Sequence, residues 1–268
     1  MPSMLHFAIT VSNSRDARRR NGTGPLNARS LALSALLGTH PPALPASSLV
    51  ALAELFGINE GTMRTALSRL VAAGDVTLDD GSYALSARLR QRQAAQDAGR
   101  SAAPDTWDGT WHTAVAVAEA RDLADRRHLR AVMVNARFGE LRPTAWMRPA
   151  NLPAPMLDGD WVLTTGKMTG RSGNELVDEL WDLRALADQA RLLGDQLGRA
   201  AIDRSDPNDI PAAFVLSATV VRFLRDEPLL PADLEPTGWP IAALRARYDD
   251  FESNLQAMMR PFLSGHAT

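Results

Sequence analysis

From Arg29 to about residue 71 apolar residues recur at helical spacing, and they then switch to alternation. Arg29 to Leu37 reads as a helix stopped by Gly38 and the Pro41-Pro42 pair. A second helix is predicted from Ser47 or Ser48 to Phe56, with a serine cap, a stripe of Leu49, Leu52, Ala53 and Phe56, and Gly57 as its end. A third starts at Asn59 and stops at Gly74. In it Met63, Ala66, Leu67, Leu70 and Val71 fall at i, i+3, i+4, i+7 and i+8, one apolar face. The next stretch, VTLDDGSYAL, alternates around an Asp-Gly pair and reads as a tight hairpin.

Further along, the pattern predicts a second set of elements. His112 to Ala118 suits a strand, Glu119 to Ala136 an amphipathic helix, GELRPTAWMRP a strand pair, and Trp161 to Thr165 another strand. One long helix is expected from Asn174 to Ala200, another from Ile210 to Leu224, and a last one from Ile241 to Phe262, after the proline-rich DEPLLPADLEPTGWP. The fold class is α+β. Residues 1–25 read as a basic, disordered arm, 26–86 as the first domain, 87–104 as a linker, 105–172 as a central domain and 173–268 as a helical C-terminal domain.

Charge sharpens this division. The 268-residue chain carries a net −2, yet residues 1–100 hold 11 arginines against 7 carboxylates, and the remainder 18 basic against 24 acidic groups. A basic front on an acidic body points to a nucleic-acid module joined to something else. The arm contributes Arg18, Arg19 and Arg20. No run of about 18 apolar residues spans a membrane. The N-terminal apolar patch precedes its charges, which is not the order of a signal peptide. With no cysteine there is neither a disulfide framework nor a thiol nucleophile. A cytoplasmic location is expected.

Catalytic patterns are sparse. The five histidines (6, 40, 112, 128, 266) have no metal-ligand spacing, and neither a G-x-S-x-G elbow nor a Walker loop is present. The glycine-rich TTGKMTGRSG at 164–173 is weighed as a phosphate cradle and read as a polar loop. Asp178, Glu179 and Asp182 are read as a solvated helix face, not as an acid/base pair. Neither an enzyme nor a cofactor or metal is expected. The helix, turn, helix and hairpin over 47–85 read instead as a winged helix, whose third helix enters the major groove. Its DNA-binding residues are taken as Arg29, Asn59, Thr62, Arg64, Thr65, Ser68 and Arg69.

These segments resemble the PaaX family of bacterial transcriptional regulators, the repressors of phenylacetic acid degradation and their relatives. ARSLALSALLG is similar to the family's opening helix and FGINEGTMRTALSRLVAAGDV to its reading-helix segment. WDGTWHTAVAVAEARDLADRRHLRAVMVNARFGELRPTAWMRP resembles its central block, and LWDL with RFLRDEPLLPADLEPTGWP its C-terminal region. The resemblance implies an N-terminal winged helix-turn-helix, a central ferredoxin-like domain and a helical C-terminal domain. It also implies a homodimeric repressor of double-stranded operator DNA, relieved by an aryl-acyl-CoA effector, typically phenylacetyl-CoA. Effector phosphates are assigned to Arg130, Arg137, Arg222 and Arg225. The central domain is similar in fold to a CRISPR-associated nuclease that uses an aspartate on its first strand. Residues 112–118 contain none, and no nuclease activity is expected. The chain departs from the family pattern in an acidic tip at Asp79-Asp80, in Gly74-Asp75 after the third helix, and in Glu60 beside the cap. Two alternatives stay open, a degenerate member acting through protein partners and an enzyme on acyl-CoA or nucleic acid.

Overall fold

The structure is a computed structural model that describes residues 27–39, 41–90, 107–117, 123–157, 161–200 and 206–266. The basic arm and most of the expected linker lie outside the described residues. The chain divides into two compact units. One is formed by residues 1–97, 193–222 and 243–268, and the other by 98–192 and 223–242.

The first unit opens with α1 (Ala28–Leu37), capped by the Asn27 side chain, which accepts from the Ser30 amide at 2.9 Å. Leu31, Leu33, Leu36 and Leu37 are buried on every side of this helix. After it comes β1 (Ala43–Pro45), a three-residue strand that the sequence reading misses. It is too short for alternation to register, and it ends in a proline.

Next is α2 (Ala46–Leu55). The serine cap expected at Ser47 or Ser48 is corrected here, because Pro45 holds the cap position without a side-chain bond. Ser48 is instead buried, and its hydroxyl donates to the Leu263 carbonyl at 2.8 Å. Gly57, at φ 67°, turns the chain. The helix α3 (Glu60–Ala72) follows, with Asn59 as its cap and Met63, Leu67 and Leu70 buried beneath it. Val71 is solvent-exposed, so the apolar stripe is one residue narrower than the spacing predicts.

The strands β2 (Val76–Asp79) and β3 (Ser82–Leu85) pair antiparallel in register Val76↔Leu85 to Asp79↔Ser82. Asp80 and Gly81, at φ 46° and 75°, form the turn. Positive φ at both central positions is the twist-matched geometry that Asp-Gly favours. With β1 on the far side of β3, the sheet order is β1-β3-β2.

In the second unit, β4 (Thr110–Ala116), β5 (Gly139–Arg142), β6 (Ala145–Pro149) and β7 (Trp161–Lys167) form an antiparallel sheet of order β5-β6-β4-β7. Between β4 and β5 lies α4 (Leu123–Asn135). Alternation divides the sheet's side chains between two cores. Ala114 and Trp146 pack with Met133 of α4 and Phe138. Trp111 and Met147 pack with Leu176, Val177 and Leu180 of α5 (Gly173–Leu180) and with Leu230 and Leu234.

The long helix expected from Asn174 to Ala200 is two helices. Trp181 is extended (φ −139°, ψ 144°), and Asp182 then caps α6 (Leu183–Arg199) by accepting from the Ala185 amide at 2.9 Å. Trp-Asp is a good stop and a good start, but both residues also continue the helical spacing, so periodicity cannot see the break. The remaining helices are α7 (Ile210–Asp226) and α8 (Ile241–Gly265).

The described protein is thus mixed α+β. Helices with a small antiparallel sheet come first, a four-stranded antiparallel sheet lies in the middle of the chain, and helices follow.

Candidate nucleic-acid interface

The apolar side of α3 faces the core, so the opposite side is presented to solvent. Gly61, Thr62, Arg64, Thr65, Ser68 and Arg69 are all exposed. A cleft of about 740 Å³ runs along this face, lined by Asn27, Arg29, Asn59, Thr62, Thr65 and Arg69 among others. Five of the seven DNA-binding residues expected from sequence therefore meet at one concavity.

Local hydrogen bonds decide what each of them has left to offer. The Asn59 side-chain oxygen caps α3, accepting from the Thr62 amide at 2.8 Å. Thr65 donates its hydroxyl back to the Gly61 carbonyl at 2.8 Å. Arg64 donates Nε to Glu60 at 2.6 Å, an exposed i,i+4 pair. Arg69 and Ser68 have no side-chain partner among the described residues. Arg29 is tied to Asp75, a buried acid that the sequence reading noted only as a departure from a family pattern. At the hairpin tip Asp79 and Asp80 are exposed.

The second unit places the expected effector arginines differently. Arg130 pairs with Glu140 and lies 5.7 Å from the Trp146 ring centroid. Arg137 is buried, with φ 62°, and donates to the Glu227 carbonyl and, at 3.3 Å, to the Leu224 carbonyl. Both line a cleft of about 370 Å³ together with Arg142, Trp181 and Asp226. Arg225 pairs with its neighbour Asp226 at 2.8 Å and lies outside that lining. Arg222 is exposed and belongs to the first unit. Of the four, Arg130 and Arg137 share one cleft.

The other chemical candidates resolve into structural roles. The Ser172 amide and hydroxyl both donate to Glu175, closing a capping box, and they hold its carboxyl below the usual range. That carboxylate occupies the helix start at which a phosphate in the glycine-rich loop would sit. Glu179 pairs with Arg142 and Arg171, and Asp182 is a cap. His112 is buried between β7 and Leu152. The Leu152 carbonyl can only accept, so Nε2 donates to it at 3.1 Å and the Thr165 hydroxyl donates to Nδ1 at 2.7 Å. Desolvation holds this imidazole below its ordinary pKa and therefore neutral. Burial pushes Arg148 down to about 10; it stacks over Phe138 and donates to the Ala136 and Pro153 carbonyls. Among the described residues no group of three or more His, Asp or Glu is arranged to hold a metal, and no helix is long and apolar enough to cross a membrane.

Comparison with known proteins fits this arrangement. The family described as PaaX-like protein matches residues 27–89, which contain α1 to β3, and the PaaX-like protein C-terminal domain matches residues 181–265. A solved structure, uncharacterized protein Rv0674 from Mycobacterium tuberculosis, is 37% identical, with a TM-score of 0.70 over 88% of this chain and 98% of that one. No curated protein matches. The chain belongs to the PaaX-like family, a family of transcriptional regulators.

Proposed function

We propose that the protein is a DNA-binding transcriptional regulator, a repressor whose hold on its operator is relieved by a small acyl-CoA-type ligand. The observation that carries the reading is the solvent-facing side of α3, with Arg69 and Ser68 uncommitted beside a cleft that also receives Arg29. On this reading α2, the Gly57 turn and α3 are the helix-turn-helix, and the β2–β3 hairpin is the wing. Small residues at Gly61, Thr65 and Ser68 let the helix backbone approach base edges, and the arginines supply guanine or phosphate contacts.

The central sheet is read as ferredoxin-like. In support, its order places the third strand between the first and second and the fourth outside the first, all antiparallel. The effector is assigned to the second unit, with Arg130 as an exposed guanidinium of its cleft beside Arg142. Two copies related by a two-fold axis would read half-sites whole helical turns apart, about 34 Å each.

The test is a binding titration on DNA from around this protein's own gene across a salt series. The expected result is a linear fall of log K with log salt, about −0.9 per neutralised phosphate. No shift at low salt removes the DNA reading. It would favour action through protein partners, to which the acidic hairpin tip and the Glu60–Arg64 pair already lend some support. Calorimetry with free CoA against an aryl-acyl-CoA tests the effector, and heat from neither rejects that ligand class.

A further inference from the structure

We propose that Arg88 is a phosphate-contacting residue of this interface and that Asp75 positions it together with Arg29. The proposal rests on the DNA reading above and adds to it a contact from outside the helix-turn-helix and the hairpin tip.

Asp75 lies three residues past the end of α3 and is fixed at both ends. Its amide donates to the Leu70 carbonyl at 3.0 Å, and its carbonyl accepts from the Ser86 amide at 3.0 Å. Its side chain is 10% exposed. Each carboxylate oxygen accepts from a different arginine, Oδ2 from Arg29 Nη2 and Oδ1 from Arg88 Nη2 at 2.5 Å. The Arg88 side chain is nonetheless 70% exposed and the Arg29 side chain 37%.

A guanidinium carries five N–H donors in a rigid fork. Arg88 uses one nitrogen on Asp75, and its other nitrogens have no acceptor among the described residues. One cation is enough to neutralise one buried carboxylate, and Arg29 already does so. The second leaves the cluster with one excess positive charge next to the cleft that Arg29 and Arg69 line. A cation with donors to spare, held on a buried anchor, has lost in advance the rotamer freedom that a phosphate contact would otherwise cost. The anchored pair therefore compensates, on the α3 side, for the carboxylates at the hairpin tip.

The experiment uses the full chain on the duplex of the salt series. Arg88→Ala is expected to shrink the slope of log K against log salt by about 0.9, with an unchanged unfolding midpoint. An unchanged slope overturns the proposal. A wild-type protein without salt-dependent binding overturns the DNA reading itself, so the two failures are distinct. Asp75→Asn supplies an opposed sign. It makes the net charge one unit more positive, so long-range attraction alone tightens binding, whereas loss of the anchor weakens it. Weaker operator binding by an Asp75→Asn protein with native circular dichroism supports positioning, and tighter binding overturns it. Where Asp75→Asn does not fold, the Arg88→Ala slope decides alone.

Discussion

The arginines of the α3 side and those around β5 and β6 are the same residue in opposite circumstances. In the second unit Arg137 and Arg148 are buried, and their terminal nitrogens donate to carbonyls at 224, 227, 136 and 153, while Arg148 Nε has no acceptor among the described residues. They hold a helix end and a loop together. In the first unit Arg69 keeps its donors in water, while Arg88 and Arg29 each give one nitrogen to Asp75 and keep the rest exposed. The comparison teaches that the residue type marks neither kind of site. What separates a structural guanidinium from a recognition guanidinium is the acceptor inventory around it, and that inventory is set by backbone geometry far away in sequence.

The contrast is broken most forcefully at Arg137. Its removal takes the 3.4 Å ion pair from the Glu227 carboxylate, 1% exposed, which keeps the Leu229 amide at 2.8 Å, and takes a donor from the carbonyls of Leu224 and Glu227. Breaking a buried pair by deleting one member costs about 3–5 kcal/mol. Arg137→Ala is expected to lower stability in urea unfolding by that order. A loss below about 1 kcal/mol would mean that water replaces the guanidinium and that the site is open enough for a ligand.

Arg148→Met is milder. The thioether keeps the packing against Phe138 and loses the bonds to Ala136 and Pro153. Each orphaned carbonyl costs about 1–3 kcal/mol unless solvated. Operator affinity should not change, and a change there would show that this part of the second unit reports to the DNA side.

Arg69→Ala is the mirror experiment. With no partner to lose among the described residues, it should leave stability within about 0.5 kcal/mol, as for ordinary surface changes. If the side chain reads a guanine it costs about 1–3 kcal/mol of operator binding. Unchanged affinity would return Arg69 to the solvated surface and leave the α3 reading on Arg29 and Ser68.

The same contrast explains what the sequence could reveal. The α3 helix and the hairpin were legible because the apolar period of α3 is long and the two elements are bounded by glycines with positive φ, at 57, 74 and 81. The exposed side of α3 followed from that stripe, which is why five of the seven named residues fall on one cleft. What pattern could not show was pairing over distance. Asp75 lies 46 residues from Arg29 and 13 from Arg88, and no period links them. The buried fate of Arg137 depends on the carbonyl of Glu227, 90 positions on. The start of α2 was misplaced for a related reason. Ser48 has the chemistry of a cap, and its hydroxyl is taken by Leu263, 215 residues away.

The finest test of the comparison is Glu60→Gln, because Glu60 is what makes Arg64 resemble the committed arginines. The pair is exposed on both sides, 59% and 55%, so its own contribution to α3 is only about 0.2–0.5 kcal/mol. The acid also sits in the first turn of α3, where the helix dipole favours it by about 0.3–1 kcal/mol. The amide should therefore lower stability slightly. It also removes a negative charge from the side proposed to face phosphates and frees Arg64 Nε. Charges about 4 Å apart in water interact by about 1 kcal/mol, so the gain in DNA affinity should be of that order or less. It should fade as salt rises, because an exposed pair is screened. Titrations at low and high salt separate the possibilities. A gain that disappears at high salt makes Arg64 a recognition arginine held in check by Glu60. A gain that persists points to a direct contact made by the new amide. A loss would mean that Glu60, and not Arg64, is the group that meets the duplex, as a carboxylate does when it accepts from the N4 amine of cytosine.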